Sequence, residues 1–488
     1  MGIGKPPEWQ ALTQAVAIIK ESVAKGDRLA IWGHDDLDGI ASTAIMLDAL
    51  KGKTEAIYYI PPKHGVHYGL DEKIIDQLIN RQVKLLITVD GGISNFDEAE
   101  YCRDKGLSLI ITDHHELPDR LPRASVVLNP KIGGIGVPYA NLAGAGVALF
   151  LSEALSATEG EALRVQAKRL AWAALATVSD RVPLLDDNRI ILRKGLPAIA
   201  GDRELNRAAK LMELDMSRGL SARIIQDSFV GLFSASVSEG FGHPMVEFLS
   251  GEWNEEYLSG LWLKQFRWKE ELGSFFESAL NKSTGRGNGI AVLVEYHLPL
   301  DMIGPLAGAV RDSLGSPVVV IGKKGDYLVG ECRGYLPFDF VDMMKTMKPA
   351  FVQFGGHKQA AGFTIKPEML DSLVSEIGRY SSEHVSLISD SRPKAAVEMK
   401  VDTLDEIYDK RSDLMARAPF GAHNPAPVCR VRKVCLPPGP KRRGYYWLDE
   451  LTKPASQGCL CTDDALFSID ITHTGEIVLF PLNSQTMN

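Results

Sequence analysis

The chain has 488 residues, with 54 Lys and Arg against 62 Asp and Glu and a net charge of −8. Hydrophobic residues at 45% and charged residues at 24% fit a folded globular protein, and exclude collagenous, largely disordered and small disulfide-stapled classes. The acidic balance excludes a uniformly basic, salt-driven nucleic-acid binder, so any surface for a polyanion must be local.

No apolar run approaches the ~18–20 residues that cross a bilayer. The start, MGIGKPPEWQALTQ, lacks the regions of a secretion signal, and Pro6 and Pro7 stand where myristoylation wants serine or threonine. Six cysteines are too few for a disulfide framework. These features predict a cytoplasmic protein without a membrane partner.

At ~100–200 residues per domain, the length predicts about three domains. Along residues 28–130, RLAIWG (28–33), EAIYYI (55–60), KLLITV (84–89), LSLIIT (107–112) and SVVL (125–128) read as buried strands. TAIMLDALKG (43–52), DEKIIDQLIN (71–80) and FDEAEYCRDKG (96–106) between them have helical spacing, so the alternation predicts a parallel sheet covered by helices. Residues 142–230 read as helical and complete an α/β domain over 1–230, followed by a helical connector over 231–287. A second α/β domain is expected over 288–385, with strands AVLVEY (291–296) and PVVVIG (317–322) around the helix LAGAVRDSL. FDFVDMMKTM (338–347) and EMLDSLVSEIGRY (368–380) read as further helices there. SLISDSRPKAA (386–396) reads as a linker, and 397–488 as a small β-rich module.

The carboxyl ends of parallel strands form the crevice where α/β sheets bind ligands. The first strand runs into His34, Asp35, Asp36 and Asp38, the third into Asp90, and the fourth into Asp113, His114 and His115. Asp180 ends the helical run AALATVSD. Singly, such an Asp is ordinarily a turn or helix-cap residue, and a loop His pair is polar surface. Together they converge, and that many carboxylates would repel unless cations neutralised them. Oxygen-plus-imidazole ligation suits Mn²⁺, with Mg²⁺ and Zn²⁺ less specific. A carboxylate shared by two ions gives the ~3.5–4 Å pair that supports in-line displacement at phosphorus. The cluster therefore points to a two-metal phosphoesterase.

HDDLDGIAS resembles the first motif of the DHH-family phosphoesterases, TVDGGIS the second, TDHHELP with the later LNP the third, and ATVSDRVPL the fourth. NLAGAGVALFL resembles the glycine-opened helix between the third and fourth. GECRG and FGGHKQAAGF resemble the DHH-associated domain, and PFGAHNPAPV the motif heading the third module of RecJ-type single-strand exonucleases. The resemblance covers roughly residues 28–428 in the right order. It implies a parallel-sheet DHH domain, a helical connector, an α/β DHH-associated domain and a β-rich module.

Position by position, the resemblance implies metal ligands at His34, Asp36, Asp38, Asp90, His114 and Asp180, holding two divalent cations, Mn²⁺ first and Mg²⁺ as the alternative. His115 would act beside the metals, with Asp113 positioning the imidazoles and Asp90 central to catalysis. Arg333, Gly355, Gly356 and His357 would bind substrate across an interdomain cleft, with Lys358 a weaker phosphate candidate. Asp35 is expected in solvent, because neighbouring side chains diverge. Three departures are plain, one being that residues 429–488 do not follow the family's full-length nucleic-acid-binding barrel. His34 stands where bacterial RecJ proteins carry Asp and resembles archaeal RecJ-like nucleases, and SVSEGFGHP (236–244) replaces the family's NAAGR segment.

In the third module, Arg430, Arg432, Lys433, Lys441, Arg442 and Arg443 precede Tyr445, Tyr446 and Trp447, a mixture that suits a single strand or an ordinary hairpin with an aromatic core face. The proximity of PFGAHNP favours nucleic acid. Cys429, Cys435, Cys459 and Cys461 are spaced poorly for zinc and read as buried free thiols. The resemblance implies an exonuclease of single-stranded DNA, with RNA as a second substrate, working 5′-to-3′ in repair, recombination or replication. The alternatives are a phosphodiesterase of short oligonucleotides or cyclic dinucleotides, and a replisome component bound to replication or repair proteins.

Overall fold

The computed structural model describes residues 9–482 apart from 63–68, 134–137, 157–162, 253, 284–288, 336, 391–396, 433, 437–444, 453–459 and 463–464. The chain forms two compact units, one built from 1–265 with 398–482, the other from 266–397.

In the first unit, helix α1 (Gln10–Ala24) precedes β1 (Arg28–Trp32), α2 (Leu37–Leu50), β2 (Ala56–Tyr59), α3 (Glu72–Asn80) and β3 (Val83–Thr88). Then come α4 (Phe96–Asp104), β4 (Ser108–Thr112) and β5 (Val126–Leu128). The five strands pair in parallel in the order β2-β1-β3-β4-β5. Alternate side chains serve two cores, which is why these strands read as continuous apolar runs. Leu29, Ile31, Leu85, Ile87 and Ile110 pack on one face with α2, and Ala30, Trp32, Leu86, Leu109 and Ile111 on the other with α3 and α4. The strand order reverses between β1 and β3, so their carboxyl ends open a crevice at the topological switch point.

The expected helical stretch follows as α5 (Gly144–Ser156), α6 (Leu163–Ser179), α7 (Asp186–Gly201), α8 (Arg203–Leu211), α9 (Ala222–Asp227) and α10 (Phe229–Ser234). The connector contains α11 (Pro244–Ser250) and the 29-residue α12 (Glu255–Ser283).

In the second unit, β6 (Ala291–Val294), α13 (Leu300–Leu314) and β7 (Val318–Lys324) match the sequence reading. β8 (Tyr327–Arg333), β9 (Gln353–His357) and β10 (Ala360–Ile365) were not read as strands, because their glycines interrupt the apolar alternation. The sheet order is β6-β7-β8-β10-β9, with β6–β7 parallel and the rest antiparallel. α14 (Phe340–Thr346) and α15 (Leu370–Glu383) fill one core, and α13 packs over β6 and β7 on the other face. The reading of 386–396 as a linker is corrected in part. Residues Val385–Asp390 form helix α16, and 391–396 lie outside the described residues.

The C-terminal module comprises β11 (Val397–Val401), α17 (Arg411–Arg417), β12 (Val428–Val431), β13 (Val434–Leu436), β14 (Tyr446–Trp447), α18 (Leu448–Leu451), β15 (Leu460–Thr462), β16 (Ala465–Ile471) and β17 (Ile477–Pro481). It is β-rich as expected. Two readings within it are overturned. Tyr445, Tyr446 and Trp447 are 6%, 3% and 1% exposed, and Tyr445 and Trp447 join the large core of α5–α11 with Val478 and Phe480. Aromatics enclosed in a core present no face to a base. Arg218 lies 4.0 Å above the Trp447 ring and pairs with Asp449 and with Glu476 at 3.0 Å. Of the basic run only Arg430 and Arg432 are described, both exposed, and Arg432 lies 3.5 Å from Asp402.

Cys435 and Cys461 face each other across β13 and β15 and form a disulfide, where free thiols were expected. Cys429 is the buried thiol anticipated, and Cys459 lies outside the described residues. Trp447→Ala is expected to destabilise the first unit by about 3–5 kcal/mol. Urea unfolding would check this, since a stacking residue would lower strand affinity and leave the midpoint unchanged.

Candidate metal centre

The loop after β1 carries the first ligands. Asp36 caps α2, accepting the Gly39 N–H at 2.9 Å, and this fixes the turn that points Asp38 inward from the helix's first turn. Asp38 is buried and accepts the Gly144 and Ala145 N–H groups, each at 2.7 Å, from the start of α5. The dipole of α5 therefore favours a carboxylate at this point. Gly144 has no alternative, since a Cβ there would lie 2.7 Å from Asp90 Oδ1.

Asp90 follows β3 in the left-handed region, with φ at +57°. Asp tolerates this conformation better than most residues. Thr88 holds the turn by donating its hydroxyl to the Gly91 carbonyl at 2.7 Å. The two carboxylate oxygens of Asp90 look different ways: Oδ2 lies 3.7 Å from His34 Nδ1, and Oδ1 lies 3.1 Å from His114 Nε2. His34 Nδ1 is also 2.9 Å from Asp36 Oδ2. His114 Nε2 is 3.7 Å from Asp38 Oδ2, and its Nδ1 is 3.7 Å from Asp180 Oδ2 at the end of α6.

Ligand atoms within 4.8 Å of one another form three groups: His34–Asp36–Asp90, Asp38–His114–Asp180 and Asp90–His114–His115. All six expected ligands thus fall in one cluster, with Asp90 shared. His114 Nε2 is buried and makes no well-aligned hydrogen bond among the described residues. A lone-pair donor turned toward carboxylates without such a bond fits a cation between them.

Asp113 lies beside this cluster. Its Oδ1 accepts the His114 and His115 backbone N–H groups at 2.7 and 3.0 Å and lies 2.7 Å from His115 Nδ1. Its Oδ2 accepts the Ile93 N–H at 2.9 Å, which ties the loops after β3 and β4 together. His115 itself is 58% exposed, so its free ring edge is accessible to a ligand.

Four groups in the site escaped the sequence reading. Asn129 donates to the His115 carbonyl at 3.0 Å and Lys131 to the His114 carbonyl at 2.7 Å, fixing that loop from behind. Asp35 is 3% exposed rather than solvated, and His243, 0% exposed, lies 3.1 Å from it. His34 and Asp36 face one another, and divergence turned Asp35 the other way, onto Ser238 and His243 instead of into water. Asn129 is the Asn of the LNP in the third motif and Lys131 follows it, a signal that could have been used. Nothing in the sequence links Asp35 with His243.

The charges respond to this crowding. Burial, then the charges of Asp180 and Asp36, push Asp38 up to about 8. Burial and Asp38 drive Asp90 well above the usual carboxylate range. Burial and the Asp36 charge raise Asp180 to about 6. Burial opposes ionisation of Asp36 too, yet its hydrogen bond and charge contact with His34 outweigh it and hold Asp36 at about 2. Burial and the neighbouring His115 lower His114 to about 4. His34 and His115 rise through their hydrogen bonds to Asp36 and Asp113 respectively.

A cavity of about 260 Å³ opens beside the cluster, lined by Trp32, Asp36, Pro61, Leu70, Asp90 and Asn95 among others. In the second unit, Arg333 pairs with Glu331 at 2.8 Å, and Gly355 is exposed with open space over its Cα. Gly356 has φ at +129°, and a Cβ there would lie 2.6 Å from the Ala360 carbonyl. His357 pairs with Ala360 at the end of β9, and Lys358 is exposed 3.7 Å from Asp339.

Residues 28–177 match the family model for the DHH family, N-terminal domain, and residues 287–383 match that for the DHHA1 domain. The single-stranded-DNA-specific exonuclease RecJ of Dickeya dadantii is 30% identical over 394 residues, 74% of this chain and 67% of that protein. The chain belongs to the RecJ-like DHH family. RecJ of Bacillus subtilis is 28% identical over 445 residues, covering 88% of this chain but 55% of its own length. The chain thus spans little more than half of that RecJ. The fold agrees with the structure of RecJ in complex with Mn²⁺ from Thermus thermophilus, at a TM-score of 0.67 and 19% identity over 98% of this chain and 72% of that one. Among the described residues no helix is long and apolar enough to cross a membrane.

Proposed function

We propose that this chain is a metal-dependent exonuclease that hydrolyses single-stranded DNA from the 5′ end with two divalent cations, Mn²⁺ first. The observation that carries the metal reading is Asp90, whose two oxygens are directed to separate histidines in separate ligand groups. The DNA substrate rests on the names of the relatives. Bound there, the cations would supply Lewis acidity and a water activated at neutral pH.

The protein's own groups have assigned tasks in this reading. His34, Asp36 and Asp90 would hold one ion, and Asp38, His114, Asp180 and Asp90 the other. His115 Nδ1–H donates to Asp113, which leaves Nε2 to meet the scissile phosphate. Its raised pKa keeps a proton available for an anionic oxygen. Arg333 and the open backbone of Gly355, with Gly356 and His357, would bind phosphates of the strand.

Digestion of a 5′-labelled single-stranded 30-mer with Mn²⁺, beside a dinucleotide, tests the proposal. Release of the label as a mononucleotide from the 30-mer is expected, whereas a ladder of shortened labelled strands would mean attack from the 3′ end. Turnover of the dinucleotide alone would make the chain a small-substrate phosphodiesterase.

A further inference from the structure

Asp35 stands between two proposed ligands and points away from both. Its Oδ2 accepts the Ser238 N–H at 3.1 Å, and its Oδ1 lies 3.1 Å from His243 Nε2. His243 Nδ1 accepts the Met245 N–H at 3.2 Å, so that nitrogen carries no proton. The ring hydrogen is therefore on Nε2 and is donated to Asp35. Both side chains are excluded from solvent, at 0% and 3% exposure.

The segment that carries His243 is itself fixed. The His243 backbone N–H donates to the Tyr58 hydroxyl at 2.8 Å, Ser238 Oγ donates to the Ile60 carbonyl, and Ile60 N–H donates to the Gly240 carbonyl at 2.9 Å. His243 also caps α11, whose Met245, Val246, Phe248 and Leu249 lie in the large core. Residues 238–243 thus run beside the end of β2 and grip the loop after β1 through one carboxylate. This is the stretch where the sequence departs from the family's NAAGR segment. The grip decides where the neighbours point. With Asp35 pinned inward, His34 and Asp36 project to the opposite side, where Nδ1 and Oδ2 come within 2.9 Å.

Metal ligands are commonly oriented by a hydrogen-bonded partner behind them, and losing such a partner costs ~10–100-fold in metal affinity. Here the partner acts through the backbone of the ligand loop. Asp38, His114 and Asp180 have separate supports in α5, the Asp113 loop and α6.

We propose that His243 is a positioning residue for one half of the metal centre: through Asp35 it holds His34 and Asp36 in place for an ion shared with Asp90. The proposal rests on the two-ion reading above, and Mn²⁺ titration of the metal-free full chain by electron paramagnetic resonance separates the two. The wild type is expected to bind two ions. His243→Ala should weaken one site by ~10–100-fold and leave the other within about threefold. His243→Gln, whose side-chain amide can donate to Asp35, should recover most of that loss. Asp35→Asn keeps the volume but sets an amide donor against either the Ser238 N–H or the His243 Nε2–H, so it should reproduce the selective loss and serves if His243→Ala does not fold. Two undisturbed sites in His243→Ala, or equal weakening of both with no recovery in His243→Gln, would overturn the positioning role alone. A wild type that binds no second ion would overturn the two-ion reading and the proposal with it.

Discussion

Asp90→Ala will lower Mn²⁺-dependent cleavage of a single strand by about 10³-fold or more, because metal stabilisation of the reacting phosphate is worth several kcal/mol. Other carboxylates in the cluster serve one group each, whereas Asp90 Oδ2 faces His34 and Oδ1 faces His114. Its loss therefore removes an oxygen from both ion sites at once. The turn survives, because Thr88 holds it through the Gly91 carbonyl. Alanine at φ +57° costs roughly 1–2 kcal/mol, so Asp90→Asn is the cleaner companion. Without metal, the asparagine variant should melt no lower than the wild type, since it removes a charge that burial and Asp38 already disfavour. End-labelled cleavage beside thermal melting checks both halves. Cleavage within tenfold of wild type would remove Asp90 from the centre.

Mn²⁺ affinity should rise with pH, by about tenfold per unit between pH 6 and 7 from the Asp38 proton alone, because that proton must leave for the ion to bind. Asp38, at about 8, is protonated in the metal-free fold at pH 7, and burial with the Asp38 charge holds Asp90 well above its usual range. His114 at about 4 and Asp36 at about 2 need release nothing. Asp180 at about 6 adds a fraction of a proton below neutrality. The sign for stability is opposite without metal. A carboxyl raised from 3.8 to about 8 holds its proton in the folded state after the unfolded chain has lost it. The metal-free protein therefore loses stability as pH climbs from about 4 to about 8, and Mn²⁺ reverses the trend. The shift in melting temperature between chelator and Mn²⁺ should be larger at pH 8 than at pH 6. A shift independent of pH would mean that the carboxylates bind no ion.

Most of these residues were legible because they follow strands whose apolar runs are buried on both faces, so the position of Asp90 or His114 follows from where the run stops, whereas Asp180 follows helix α6. The order β2-β1-β3 then brings two such ends together at the switch point. Asp35 was illegible for the opposite reason. Its burial depends on His243, 208 positions away, and local periodicity holds no information about that separation. Tyr445–Trp447 were misjudged because a basic run beside aromatics has the same local composition in a binding surface and in a strand packed on helices. Arg218, over the Trp447 ring, identifies the packed case only in three dimensions. The strands β8 to β10 were hidden by glycines whose role is steric: a Cβ at Gly330 would lie 2.1 Å from the Phe363 ring.

The first unit draws on 1–265 and again on 398–482, with the second unit inserted between them. This sets an order of events during synthesis. Residues 266–397 have their own cores and can close as soon as they emerge. The metal-binding unit emerges first but stays open along the helices that await Tyr445, Trp447, Val478 and Phe480. Contacts across so long a span are slow to form, because closing the loop costs entropy before any contact rewards it. The half-made core is the surface on which a folding helper would act. The same connectivity makes the metal-binding unit intolerant of truncation ahead of residue 480.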